Sequence, residues 1–187
     1  LFYTKLQIIS RGFHNIINSL EDFCKFSPKF SFTTMVFSIL TPNIPGIYMP
    51  GSTFKIVTSS MALEERVVTL NETLNCSGSL TVLKQNIHCH KVKGHGTLTY
   101  AQGLQQSCNV WFMTLGKRVG IEKFQKYVNA FGYNEKTGVD LPGEAKGIFA
   151  SEMTELDLAI YAFGQNFKIT PIQQISAIAA VANGGEL

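Results

Sequence analysis

Ser52 and Lys55 stand three residues apart in Tyr48-Met49-Pro50-Gly51-Ser52-Thr53-Phe54-Lys55. In the first turn of a helix that spacing puts a hydroxyl and an amine on one face. Pro50 and Gly51 read as the turn that leads in, and Ile56 to Glu65 holds no breaker, so the spacing predicts a helix of about three to four turns. Phe54, Val57 and Met61 form one stripe and Ile56, Ser60 and Leu63 another, the pattern of a helix buried at a domain centre. A lysine at the start of such a helix loses hydration, which lowers its pKa towards neutrality. A neutral amine can take the proton of a neighbouring hydroxyl, while the free N–H groups at a helix start favour the negative charge that develops in acyl transfer. The chemistry is that of an activated serine nucleophile. The plain structural alternative is a capping serine beside a solvated lysine.

A second polar group lies at Gln106-Ser107-Cys108-Asn109, between apolar turns carrying Trp111, Phe112 and Leu115. On one reading Ser107 or Asn109 caps the next helix. On the other, Ser107 and Asn109 face the same cleft as Ser52, one passing protons and the other holding a substrate amide. Cys108 then faces away, into the core.

The elements that must position these groups follow from periodicity. Apolar residues at three and four predict helices over 5–22, 98–106, 110–118 and 121–131, with a further helix beginning at Asp157. A last helix starts at Pro171 with Thr170 as its N-cap. Partial alternation predicts a strand within 26–40, and Val67 to Leu70 reads as a short extended piece. The 187 residues are 45% hydrophobic and 16% charged, enough for one core or one lobe of a larger one. A net charge of +3 gives no case for nucleic acid, and no apolar run reaches the roughly 20 residues of a membrane span. The first residue is Leu1 rather than Met, and the chain ends at Asn183-Gly184-Gly185-Glu186-Leu187. Both ends carry the expectation of a piece of a longer protein.

Four cysteines (Cys24, Cys76, Cys89, Cys108) are too few and too scattered for a disulfide scaffold, although one bridge fits an oxidising compartment. Cys76 to His95 reads as a small surface hairpin carrying His88, His90 and His95. Neighbours in His88-Cys89-His90 point to opposite faces of a strand and cannot all meet one ion. The expectation is therefore no metal, with Cys76 and Cys89 packed or bridged.

With Ser52-Thr53-Phe54-Lys55 and Ser107-Cys108-Asn109 together, the chain resembles the transpeptidase domain of class B penicillin-binding proteins, especially the elongation-type branch. The likeness runs from about Gly46 to Leu187 and includes Gly94-His95-Gly96-Thr97, Thr137-Gly138-Val139-Asp140-Leu141-Pro142-Gly143-Glu144, Thr170-Pro171-Ile172-Gln173 and Ala182-Asn183-Gly184-Gly185. It implies an α+β fold of the penicillin-binding transpeptidase, serine beta-lactamase-like kind, here mainly its helical lobe with most of the antiparallel sheet missing. Residues 45–187 are then a partial transpeptidase domain, and 1–44 stay unassigned, not family-like and open to a frameshift explanation.

The resemblance further implies a peptidoglycan D,D-transpeptidase acting on D-alanyl-D-alanine stem peptides through a serine acyl-enzyme. Ser52 is then the nucleophile, Lys55 its base, Ser107 the proton relay and Asn109 the substrate-binding amide, with no metal or organic cofactor. Implied partners are stem peptides on a lipid-linked precursor or nascent glycan, beta-lactam antibiotics and a glycosyltransferase of the elongation machinery. The implied location is extracytoplasmic, in a membrane-anchored parent. The rivals are a serine beta-lactamase or beta-lactam sensor and, from another class, a non-catalytic remnant or small zinc-binding interaction module using Cys76, Cys89 and His95.

Three departures from the family pattern matter. The Lys-Thr-Gly strand that should follow Asn183 is not among these residues, and Lys136-Thr137-Gly138 is a turn-bound decoy. These residues alone are therefore expected to be inactive. The strand pair before the nucleophile is missing from 1–44. Asn166 stands where the family carries glycine, which puts that turn's backbone geometry in question.

Overall fold

Residues 46–139 and 144–187 are described by the computed structural model. The helix expected over 5–22, the strand expected within 26–40, Cys24 and residues 140–143 lie outside them. A 3-10 turn, Gly51–Phe54, runs straight into helix α1, Lys55–Glu64. Strands β1 (Thr73–Cys76), β2 (Ser79–Val82), β3 (Gln85–His88) and β4 (Gly96–Thr99) come next. Helices α2 (Tyr100–Gln105), α3 (Asn109–Val119), α4 (Ile121–Ala130), α5 (Glu155–Tyr161) and α6 (Pro171–Ala182) complete the described chain. This is the helical part of an α+β fold, with two small antiparallel ladders.

The ladders pair β1 with β4 and β2 with β3. The β2–β3 hairpin turns on Leu83 and Lys84, both at positive φ (46° and 66°), the backbone that a two-residue hairpin requires. The extended piece expected at Val67 to Leu70 is irregular, and pairing begins instead at Thr73. Leu98 and Thr99, expected in a helix, belong to β4, because Thr99 caps α2. Its Oγ1 accepts from the Gln102 N–H (3.2 Å) while its own N–H donates to Gln102 Oε1 (2.9 Å). Thr154 with Asp157 opens α5 by the same reciprocal device, and Thr170 with Gln173 opens α6, where Pro171 takes the first helical position as the sequence predicts.

Helix α3 is the hub. It carries the buried Trp111, Phe112, Met113 and Leu115 and packs against α1, α4 and α5. Phe54, at the end of the 3-10 turn, is wholly buried among Phe124, Tyr133 and Phe167, the last at 4.7 Å edge to face. Asn166 takes φ +66°, so the turn keeps the left-handed backbone that glycine would give, in the residue type that tolerates it best after glycine. Lys136-Thr137-Gly138 is irregular chain rather than a strand, held by Glu144, whose carboxylate accepts the N–H groups of Thr137 (2.7 Å) and Gly138 (3.2 Å).

Where α3 crosses α5 the gap is closed by Gly116, at which a Cβ would lie 2.6 Å from Ala162 Cβ and 3.2 Å from Leu158 O. Overpacking of this kind costs about 1–3 kcal/mol. Gly116→Ala is expected to lower the urea midpoint of unfolding without changing its slope.

Candidate functional site

Ser52 is exposed in the 3-10 turn, and that turn is fastened from behind. The Gly51 N–H donates to Gly164 O at 2.9 Å, and Tyr48 pairs with Ile169 by two backbone bonds of 2.8 and 2.9 Å. The approach to Gly164 is so close that a Cβ there would stand 1.8 Å from Gly51 O. Only glycine fits.

Ser107 owes its place to the end of α2. The Ser107 N–H donates to Leu104 O (3.0 Å) and the Cys108 N–H to Gly103 O (2.8 Å), the paired bonds of a helix ended by one left-handed residue. Glycine is usual at that position, yet Ser107 occupies it at φ +53°. The strained backbone aims its hydroxyl back at the Ser52 turn, with Ser107 Oγ donating to Ser52 Oγ at 2.9 Å. Cys108 is the N-cap of α3 and gives no side-chain cap; Asn109 opens the helix. The capping role considered for Ser107 or Asn109 is thus not the one they take.

Lys55 joins the two halves. Its Nζ donates to Ser107 O (2.7 Å), Ser107 Oγ (2.8 Å) and Asn109 Oδ1 (2.7 Å), and lies 3.4 Å from Ser52 Oγ. The side chain is 1% exposed, and Phe112 presents its ring 5.3 Å from the amine. Burial lowers the Lys55 pKa from 10.5 to about 8, with Cys89 and Cys108 pulling the other way. The short path between the Ser52 hydroxyl and the amine runs through Ser107, in two steps of 2.9 and 2.8 Å, rather than across the direct 3.4 Å gap. All four site residues read from the sequence, Ser52, Lys55, Ser107 and Asn109, therefore stand together. Sequence reasoning missed Gly164 and Phe112. The Gly164-Gln165-Asn166 turn was the available signal for the first, and nothing local marks the second.

The description "Penicillin binding protein transpeptidase domain" matches residues 27–187. The chain belongs to that family. Its relatives place it among the class B members, and the match begins ahead of Gly46, taking in residues 27–44. Stage V sporulation protein D of Bacillus subtilis is 43% identical over 155 residues, which is 80% of this chain and 24% of that protein. Peptidoglycan D,D-transpeptidase MrdA of Acinetobacter baumannii is 28% identical, over 76% of this chain and 23% of its own length. The chain thus spans about a quarter of the length of these curated relatives. Penicillin-binding protein 3 of Mycobacterium tuberculosis, solved in complex with aztreonam, superposes with a TM-score of 0.70 at 29% identity, over 76% of this chain and 32% of that one. Penicillin-binding protein 2 of Helicobacter pylori, solved in complex with MreC, gives 0.68 at 31%, over 74% and 28%.

Holding a side-chain-bearing residue in the left-handed region costs about 1–2 kcal/mol. Ser107→Gly and Ser107→Ala both remove the hydroxyl, but only glycine relieves the backbone. Urea unfolding is expected to find Ser107→Gly the more stable of the two by about 1 kcal/mol. Equal midpoints would mean that Ser107 carries no backbone strain.

Proposed function

We propose that these residues form the nucleophile half of a peptidoglycan D,D-transpeptidase site working through a serine acyl-enzyme. Lys55, neutral in part near pH 8, takes the Ser52 proton by way of Ser107, whose hydroxyl turns to donate to the neutral amine and accept from Ser52 as Ser52 Oγ bonds to the penultimate D-alanyl carbonyl carbon. When the tetrahedral adduct collapses, the proton returns through Ser107 to the departing D-alanine nitrogen. An amine of a second stem peptide then attacks the ester, forms the cross-link and restores the Ser52 hydroxyl. Asn109 accepts from Lys55 and offers its amide N–H group to the stem-peptide backbone. The observation that carries this reading is the placement of Lys55 Nζ within 2.8 Å of Ser107 Oγ and Asn109 Oδ1 and 3.4 Å of Ser52 Oγ.

On this reading the substrates are stem peptides on a lipid-linked precursor or nascent glycan. The setting is the outer side of the cytoplasmic membrane in an anchored parent, with a glycosyltransferase as working partner. Among the described residues no helix is long and apolar enough to cross a membrane. Beta-lactams, which resemble the D-alanyl-D-alanine end, acylate Ser52.

A Lys-Thr-Gly strand, which in the family adds an oxyanion N–H and binds the substrate carboxylate, is not among the 187 residues. Loss of one oxyanion donor typically slows acylation by ~10²–10³. A fluorescent penicillin is therefore expected to label these residues alone slowly, at Ser52 and not in Ser52→Ala. The rate should rise about tenfold per pH unit up to about 8, where Lys55 loses its proton. Adduct mapped to another residue, or steady turnover of a chromogenic cephalosporin, would overturn the transpeptidase reading. Rapid stoichiometric labelling would overturn the need for the sheet-borne half.

A further inference from the structure

Charge is unevenly placed along this chain. Residues 73–121 hold five of the sixteen lysines and arginines and none of the thirteen acids, so this stretch carries +5 where the whole chain carries +3. Two of the five, Lys117 and Arg118, close the end of α3, where Arg118 pairs with Glu72 at 2.6 Å. The other three, Lys84, Lys91 and Lys93, are exposed on the β2–β3 hairpin and the turn that follows it. No ion pair among the described residues engages them.

The turn from Lys91 to Gly94 is firmly held. The Gly94 N–H donates to Lys91 O at 2.8 Å, and the Cys89 N–H donates to Gly78 O at 2.8 Å. Two glycine crossings bring the flanking chains together: a Cβ on Gly78 would stand 1.9 Å from Val92 O, and one on Gly94 would stand 2.3 Å from Cys76 O. Under the turn Cys76, Cys89 and Cys108 gather with His95, packed as free thiols rather than bridged. Lys91 and Lys93 therefore present their charges on a scaffold that a partner need not order, which preserves the gain from each contact. Between them Val92 is 67% exposed, an apolar centre to a cationic rim. The four paired residues of the hairpin, at ~3.3 Å each, set Lys84 about 13 Å from this turn, a span that an extended peptide of four or five residues covers.

The turn adjoins the acyl-transfer site. The Asn109 N–H is directed at the sulfur of Cys89, two residues before Lys91. Burial first, then the charges of Lys55 and Lys91, hold the His90 imidazole below its ordinary range, and burial, His90, Lys91 and Lys55 do the same at His95. The Lys55 amine and the lysine turn thus share one positive field, which neutral imidazoles leave to the lysines.

We infer that Lys84, Lys91 and Lys93 form a docking surface for an acidic peptide, drawn by charge to the Asn109 side of the site and seated with small apolar side chains against Val92. Charge complementarity supplies the attraction. An anionic membrane fits less well, because interfacial anchoring uses an amphipathic helix or aromatic side chains and this surface offers Leu83 and Val92. Docking itself rests on the lysines. That the peptide is a stem peptide, which brings carboxylates and alanyl methyl groups to Ser52, rests on the transpeptidase reading above.

The test is fluorescence anisotropy with a fluorescein-labelled peptide of three alanyl-glutamate repeats, against the same peptide with glutamine for glutamate, in about 50 mM salt so that screening stays weak. The acidic peptide is expected to bind and the glutamine peptide is not. Lys84→Gln, Lys91→Gln and Lys93→Gln together should weaken binding about tenfold, the combined effect of three exposed ion pairs. Lys126→Gln, Lys146→Gln and Lys168→Gln together change the net charge equally and should leave binding within about twofold. Absence of binding would overturn the proposal, and equal losses in the two triple variants would do the same by reducing the effect to net charge. So would retention of the chain on phosphatidylglycerol vesicles that an excess of the acidic peptide fails to release, which would assign the surface to a membrane. Failure of Ser52 to label with penicillin, while the peptide still binds through the three lysines, would count against the acyl-transfer reading and leave the docking surface standing.

Discussion

The desolvated amine of Lys55 is the constraint on which the rest of the site depends. At 1% exposure it gives up hydration by water and gains three protein acceptors, two from Ser107 and one from Asn109. Those acceptors belong to a loop more than fifty residues away in the chain, so the amine is also the bolt between α1 and the α2–α3 junction. An amine held this way, with a pKa lowered to about 8, is close to the balance a general base requires.

Much of the surrounding architecture can be read as support for that arrangement. Glycine at 164 lets the backbone crowd against Gly51 and fix the turn that carries Ser52. Serine where glycine would be easier, at 107, exchanges backbone comfort for a hydroxyl in reach of both Ser52 and Lys55. Phe54 anchors the turn into an aromatic cluster one residue before the amine, so the same short segment carries core and chemistry.

What the sequence made legible divides by range. Ser52 and Lys55 were readable because a three-residue spacing on a helix is local geometry, and the Thr170-Pro171 start of α6 was readable for the same reason. Helix existence was sound for α1 to α6, but the boundary at Thr99 slipped because its capping signal, glutamine three residues on, was not weighed against apolar periodicity. That Ser107 and Asn109 face Lys55 depends on tertiary contact: a polar loop between apolar turns left that reading open beside helix capping, and the family likeness favoured it. Cys108 was read as turned away from the cleft, and its sulfur does lie elsewhere. That it meets Cys76, Cys89 and His95 follows from strand register and two glycine crossings, which no window of sequence contains.

The most direct measurement of the central claim is an NMR titration of lysine Nζ signals, with Lys55 assigned by its disappearance in Lys55→Met. The account predicts a midpoint at about 8 for this one lysine. A midpoint near 10.5, the value of a hydrated lysine, would show the amine exposed to water and contradict the arrangement on which the site is built.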